Sequence, residues 1–229
     1  AAAAHAKGAF VGCDNTWATP LLFKPLDHGA DFAMEALTKY VGGHSDILLG
    51  SITVREVALH RRLKDTTRML GIGVSPDECQ LAIRGLQTMG VRLAHVGHVA
   101  EALAQRIVGQ PGVDRVLHPA LPTCPGHEIW RRDFSGASGL FSVVMKPGVE
   151  HRLDAALSAM KTFAIGASWG GVRSLIVPMD IRSDRVAVPW REEGPILRIS
   201  IGLEDPQDLW DDLSRLFAHV GSDLAEPGS

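Results

Sequence analysis

No apolar run in this sequence approaches the roughly 20 residues that a membrane-spanning helix needs, so nothing in it suggests a membrane. Neither sign of charge dominates. The net charge is −3, with acids and bases interspersed, so the basic footprint of a nucleic-acid binder is missing. Cysteine is scarce: Cys13, Cys79 and Cys124 form no C-x-x-C pair. An odd count without a framework fits a reducing cytoplasm rather than a disulfide scaffold. Ten histidines occur, but none stands in H-E-x-x-H or a comparable ligand spacing, so no metal is expected. No internal repeat is evident. Residues 1–6 lack the basic end and long apolar core of a secretory signal. They read as the end of a helix terminated by Gly8, which would make the chain the C-terminal portion of a longer protein.

What is present is apolar material, 45% of the residues, arranged in short runs bounded by Gly, Pro and Asp. Residues 9–13, 31–37 and 46–54 read as buried strands of an α/β sheet. Helical spacing follows over 55–70. It resumes over 77–89, started by Ser75-Pro76-Asp77, and again over 91–108. Composition shifts at Gln110-Pro111-Gly112, and the chain is divided there into domains 1–110 and 111–229. In the second, residues 113–117, 139–146, 172–178 and 196–201 read as strands, 118–132 as an irregular loop and 148–161 as a helix. A last helix opens with Asp205 as N-cap and Pro206 at its first position. Leu209, Trp210, Leu213, Leu216, Phe217 and Val220 share one of its faces. The tail 226–229 is expected to be disordered.

The chemistry-bearing residues stand at the ends of these runs. Asp14 leaves the first strand, and Thr38-Lys39 closes the second. A Lys able to condense with a pyridine aldehyde, and an Asp able to pair with the ring nitrogen, is the layout that holds pyridoxal 5'-phosphate (PLP). Thr38 is placed to reach a phosphate. Arg198 is a charge inside the apolar run Leu197–Leu203. Burying it unpaired is expensive, and its fork suits a carboxylate. Plainer readings stay open from spacing alone: a solvated Lys39, a turn or cap at Asp14, and a structural bridge from Arg198 to Glu204 or Asp205.

Taken together, several motifs resemble the Cys/Met-metabolism (transsulfuration) family of PLP enzymes. They are Asp14-Asn15-Thr16-Trp17-Ala18-Thr19-Pro20, Thr38-Lys39-Tyr40, Gly43-His44-Ser45-Asp46 and Leu197-Arg198-Ile199-Ser200-Ile201-Gly202-Leu203-Glu204-Asp205. Further stretches, Trp130-Arg131-Arg132-Asp133-Phe134 and Ser168-Trp169-Gly170-Gly171 among them, lie nearest its bacterial β-lyases. The resemblance implies an α/β PLP-dependent transferase fold type I, with the later part of a large domain followed by a small α+β domain. It implies that Lys39 holds the cofactor and moves the Cα proton, that Asp14 pairs with the pyridinium, and that Thr38 contacts the phosphate. Arg198, helped by Ser168 and Trp169, would hold the substrate carboxylate. The implied reaction is β-elimination at an S-substituted cysteine such as cystathionine, in a cytoplasmic homotetramer built of dimers. γ-Elimination or γ-replacement on the same scaffold, or an inactive fragment, are the alternatives. Ala36 stands where relatives often carry Ser. Val172-Arg173 stands where the β-lyases usually place an aromatic residue and Glu.

Overall fold

A computed structural model describes residues 1–222; the tail at 226–229 lies outside the described residues. The chain divides into two compact units. One comprises Ala1–Leu93 with Asp133–Gly136, and the other Ala94–Arg132 with Ala137 onward. The division falls inside a helix, whereas the composition shift at Gln110-Pro111-Gly112 lies just beyond that helix's end. Among the described residues no helix is long and apolar enough to cross a membrane.

The first unit contains α1 (Ala2–His5), β1 (Gly12–Asp14), α2 (Thr19–Leu22), a 3₁₀ turn (Pro25–His28), β2 (Phe32–Ala36), β3 (Gly50–Thr53) and α3 (Val57–Met69). Its last element is the opening of α4 (Pro76–Ile107). The sheet runs β1-β2-β3, parallel between β1 and β2 and antiparallel between β2 and β3. Residues 46–49, read as strand, are instead loop. The Thr38 hydroxyl takes up the Leu49 amide at 3.0 Å, so that backbone group is satisfied by a side chain rather than a neighbouring strand.

α4 is one helix of 32 residues, not the two that the sequence suggests. Ser75 and Glu78 form a reciprocal capping box: the Glu78 amide donates to Ser75 Oγ at 3.1 Å, and the Ser75 amide donates to Glu78 Oε2 at 3.3 Å. Gly90, at the expected break, costs about 1 kcal/mol relative to Ala. Burial of Met89 and Leu93 on either side carries the helix through. Asp133–Gly136 belongs to the first unit because the Phe134 ring stacks on Phe23 at 4.5 Å and meets Trp17 edge-on at 6.1 Å.

The second unit contains the rest of α4, β4 (Val113–Leu117), α5 (His127–Asp133), β5 (Leu140–Met145), α6 (Glu150–Ser158), β6 (Ala164–Ile165), β7 (Leu175–Met179), β8 (Ile196–Ser200) and α7 (Pro206–Gly221). α5 corrects the expectation of an irregular loop over 118–132. The strand order is β4-β5-β8-β7-β6, antiparallel except for β6 beside β7. β8 is central, and its Leu197 and Ile199, with Ile201 beyond, are completely buried. Asp205 caps α7 by accepting from the Gln207 amide at 2.7 Å, and Leu209, Leu213, Leu216, Phe217 and Val220 are buried along one stripe. Trp210, grouped with them by spacing, lies under the Arg106 guanidinium at 3.9 Å.

His118 follows β4 and is fully buried. Its Nδ1 accepts from the Ala120 amide at 3.2 Å, its ring meets Phe141 edge-on, and Nε2 has no partner among the described residues. Burial pushes its pKa down to about 4 from 6.5. A depressed histidine contributes stability that is complete above its unfolded pKa and lost as pH falls towards the folded one. Stability is therefore expected to drop by about 3 kcal/mol as pH falls from the unfolded value to the folded one. Urea unfolding across that window reads the drop. His118→Asn should flatten it, and an equal slope in that variant would assign the loss to other groups.

Candidate active site

β1 and β2 are parallel neighbours with Asp14 in register with Met34, so Asp14 and the turn after Ala36 both leave the sheet at its carboxyl edge. Open α/β sheets build ligand sites at that edge. Asp14 ends β1. Its Oδ1 accepts from the Thr16 amide at 2.9 Å and from the Thr16 hydroxyl at 2.5 Å. The Thr16 oxygen in turn accepts from the Ala36 amide at 2.9 Å. A two-bond link therefore runs from the Asp14 carboxylate to the end of β2, just ahead of Lys39. Asn15, also buried, anchors the same turn: its amide donates to Met34 O at 2.8 Å and its side chain to Phe23 O at 3.0 Å.

Lys39 is half-buried in the turn that follows. Its amide donates to Ala36 O at 3.0 Å, and its carbonyl accepts from the Gly43 amide at 2.7 Å. The Thr38 hydroxyl donates to Leu49 O at 3.3 Å besides accepting from the Leu49 amide. Thr38 can serve a phosphate only by releasing Leu49. Glu35, at the end of β2, has its carboxyl pushed up by burial and, less, by Asp14; the Asn15 side chain works the other way.

Arg198, Ser168 and Trp169 lie in the second unit. Arg198 is half-buried on β8, between Ser142 of β5 and Val177 of β7. Its Nη2 donates to the carbonyls of Ala167 and Ser168. This brings the arginine and the Ser168-Trp169 loop together. The loop is pinned to β8 a second time where the Gly170 amide donates to Ser200 Oγ at 3.4 Å.

The expected bridge does not form. Glu204 accepts from the Ser174 amide and hydroxyl, both at 2.7 Å, and Asp205 is occupied in capping α7. Among the described residues no carboxylate pairs with Arg198. Burial lowers its pKa from the ordinary arginine value, so an incoming carboxylate would relieve an unneutralised, partly desolvated cation.

In the first unit an amine and a carboxylate leave one sheet edge, and these are groups that PLP requires; the second unit carries a guanidinium with no carboxylate partner among the described residues. The comparisons decide the family. The Cys/Met metabolism PLP-dependent enzyme model matches residues 1–218. This chain belongs to that family. Cystathionine beta-lyase of Escherichia coli K12 is 40% identical over 216 residues, covering 93% of this chain and 54% of its own. An L-alanine/L-glutamate racemase of Wolbachia pipientis is 42% identical over 210 residues, 91% of this chain and 52% of its own. Among solved structures, cystathionine gamma synthase of Xanthomonas oryzae in complex with aminoacrylate and cysteine superposes with a TM-score of 0.88 at 34% identity. That match covers 96% of this chain and 58% of the other. The chain thus has the α/β architecture of fold type I PLP enzymes and spans about half the length of the curated relatives it matches.

Two contributors escaped the sequence reading. Thr16 looked like part of a generic Asp-Asn-Thr turn, because a link between strands cannot be read from local order. Arg92 did leave a signal: it is a cation on the apolar stripe that holds Met89, Val96 and Val99.

Proposed function

We propose that this chain is part of a PLP-dependent carbon–sulfur β-lyase acting on cystathionine or related S-substituted cysteines. The observation that carries the reading is that Asp14 and the turn bearing Lys39 leave adjacent parallel strands at the same edge, with Thr16 bonding the Asp14 carboxylate to the Ala36 amide at the end of β2. Arg198, without a carboxylate partner among the described residues, supports it.

PLP when bound supplies an electron sink for negative charge developing at the substrate Cα. The residues do the rest. Arg198 orients the substrate by its α-carboxylate, with the Ser168-Trp169 loop beside it. Asp14 pairs with the pyridine nitrogen and keeps it protonated, and Thr16 fixes the carboxylate rotamer for that task. Lys39 anchors the cofactor and then takes the Cα proton. Loss of the thiolate from Cβ follows. In balance, cystathionine and water give homocysteine, pyruvate and ammonia.

The same Cα proton transfer also begins γ-elimination and racemisation, and relatives bearing γ-lyase, γ-synthase and racemase names match this chain. Products separate the three: pyruvate for β-elimination, 2-oxobutyrate for γ-elimination, a D-amino acid for racemisation. Pyruvate is the expected result. The three cysteines are unpaired, which supports a reducing cytoplasm as the working compartment. A homotetramer built of dimers is the assembly we infer, and sedimentation tests it. The primary test is chemical: borohydride reduction of PLP-loaded protein should fix cofactor to the peptide containing Lys39. Fixation elsewhere, with none at Lys39, would end the assignment.

A further inference from the structure

We propose that Arg92 is the positioning residue for Lys39, its buried guanidinium setting the turn that presents the lysine amine to PLP. This rests on the reading of Lys39 as the cofactor lysine. Arg92 is 9% exposed and lies on the stretch of α4 that belongs to the first unit. Its Nη1 donates to Tyr40 O at 2.9 Å and its Nη2 to Val41 O at 3.3 Å. Nη2 also donates to Gly85 O at 2.8 Å, and Nε donates to Thr88 Oγ1 at 3.0 Å. Every acceptor is neutral.

A buried cation that satisfies only carbonyl and hydroxyl oxygens is a costly way to hold a helix. An apolar side chain would fill the space more cheaply, so the stability of α4 alone does not account for it. The acceptors show what the cation does. The turn closes on itself through Lys39 N to Ala36 O, Gly42 N to Leu37 O at 2.7 Å and Gly43 N to Lys39 O. These bonds leave the carbonyls of Tyr40 and Val41, immediately after the lysine, to be satisfied from outside. The fork of Arg92 does this with two nitrogens at fixed spacing, which a single ammonium cannot copy.

Two glycines are shaped to the same contact. Gly43 has φ +72°, and a Cβ there would lie 2.0 Å from Arg92 Nη1. A Cβ at Gly85 would lie 2.1 Å from Val41 O. Both glycines thus leave room for the close approach, and Arg92 is the residue that bonds the turn.

The test loads holoenzyme over a PLP titration, reduces with borohydride and maps the fixed cofactor by peptide. Exposed Lys24 serves as internal control. Arg92→Met should raise the PLP concentration for half-maximal fixation at Lys39 by about tenfold. Fixation at Lys24 should stay unchanged, and Arg92→Lys should recover only part of the loss. Arg92→Lys carries the test alone if Arg92→Met does not fold. Arg92 variants that melt earlier yet load Lys39 at the wild-type PLP concentration would overturn the positioning role and leave the function standing. A wild-type protein that fixes nothing at Lys39 would instead remove the functional reading.

Discussion

Lys39→Ala is expected to lower the elimination rate by a factor on the order of 10⁴ and to abolish borohydride fixation at its peptide, with the fold unchanged. The two hydrogen bonds that shape the turn at this position use the Lys39 main chain, not its side chain. Truncation therefore removes the amine and keeps both main-chain bonds. A small exogenous amine should restore part of the proton transfer, because the missing group is a base at a defined place. A Lys39→Ala protein that retained wild-type turnover would require another residue to move the Cα proton.

Asp212→Ala is expected to cost about 3 kcal/mol of stability, the scale for leaving buried amide donors without their acceptor. Asp212 lies on α7 and is 1% exposed. Its Oδ2 accepts from three successive amides, Lys161 at 2.9 Å, Thr162 at 2.6 Å and Phe163 at 3.1 Å. Its Oδ1 accepts from Arg215 Nη2 at 2.5 Å. Burial by itself would raise the pKa. The amides and the guanidinium outweigh it and hold the carboxyl below its usual range. Alanine would orphan the three amides that lead the chain from α6 into β6. A depressed carboxyl contributes above its unfolded pKa, so the gap between wild type and variant should be full at neutral pH. It should close as pH falls through the folded pKa. Urea titration at several pH values reads both features. Coincident curves for the two proteins at neutral pH would show the network to be dispensable.

Local order made the chemistry legible and left its support hidden. Asp14, Lys39 and Arg198 could be read because each stands where an apolar run ends or is interrupted by charge, and that pattern is a property of neighbours in sequence. α7 was legible for the same reason: its cap, its proline and its stripe are consecutive. α4 was read as two helices because Gly90 looks like a stop, yet the burial that overrides it comes from distant residues. α5 was missed because the Pro, Cys and Gly before His127 mask a short helix that buries no side chain. Thr16, Arg92 and Asp212 act across gaps of 20, 52 and 51 residues. No window of sequence contains such a pair. Glu204 was a plausible partner for Arg198 until Ser174, nearly a whole hairpin away, was seen to claim it.

The stacking of Phe134 on Phe23 has a consequence for how the polypeptide is made. A ribosome releases Phe23 long before Phe134, and all of α4 and β4 emerge in between. The aromatic nest of the first unit cannot close until that later ring arrives. The first unit can therefore not be recovered by cutting the gene once at Leu93, since the upstream piece would leave its closing ring behind on the downstream one.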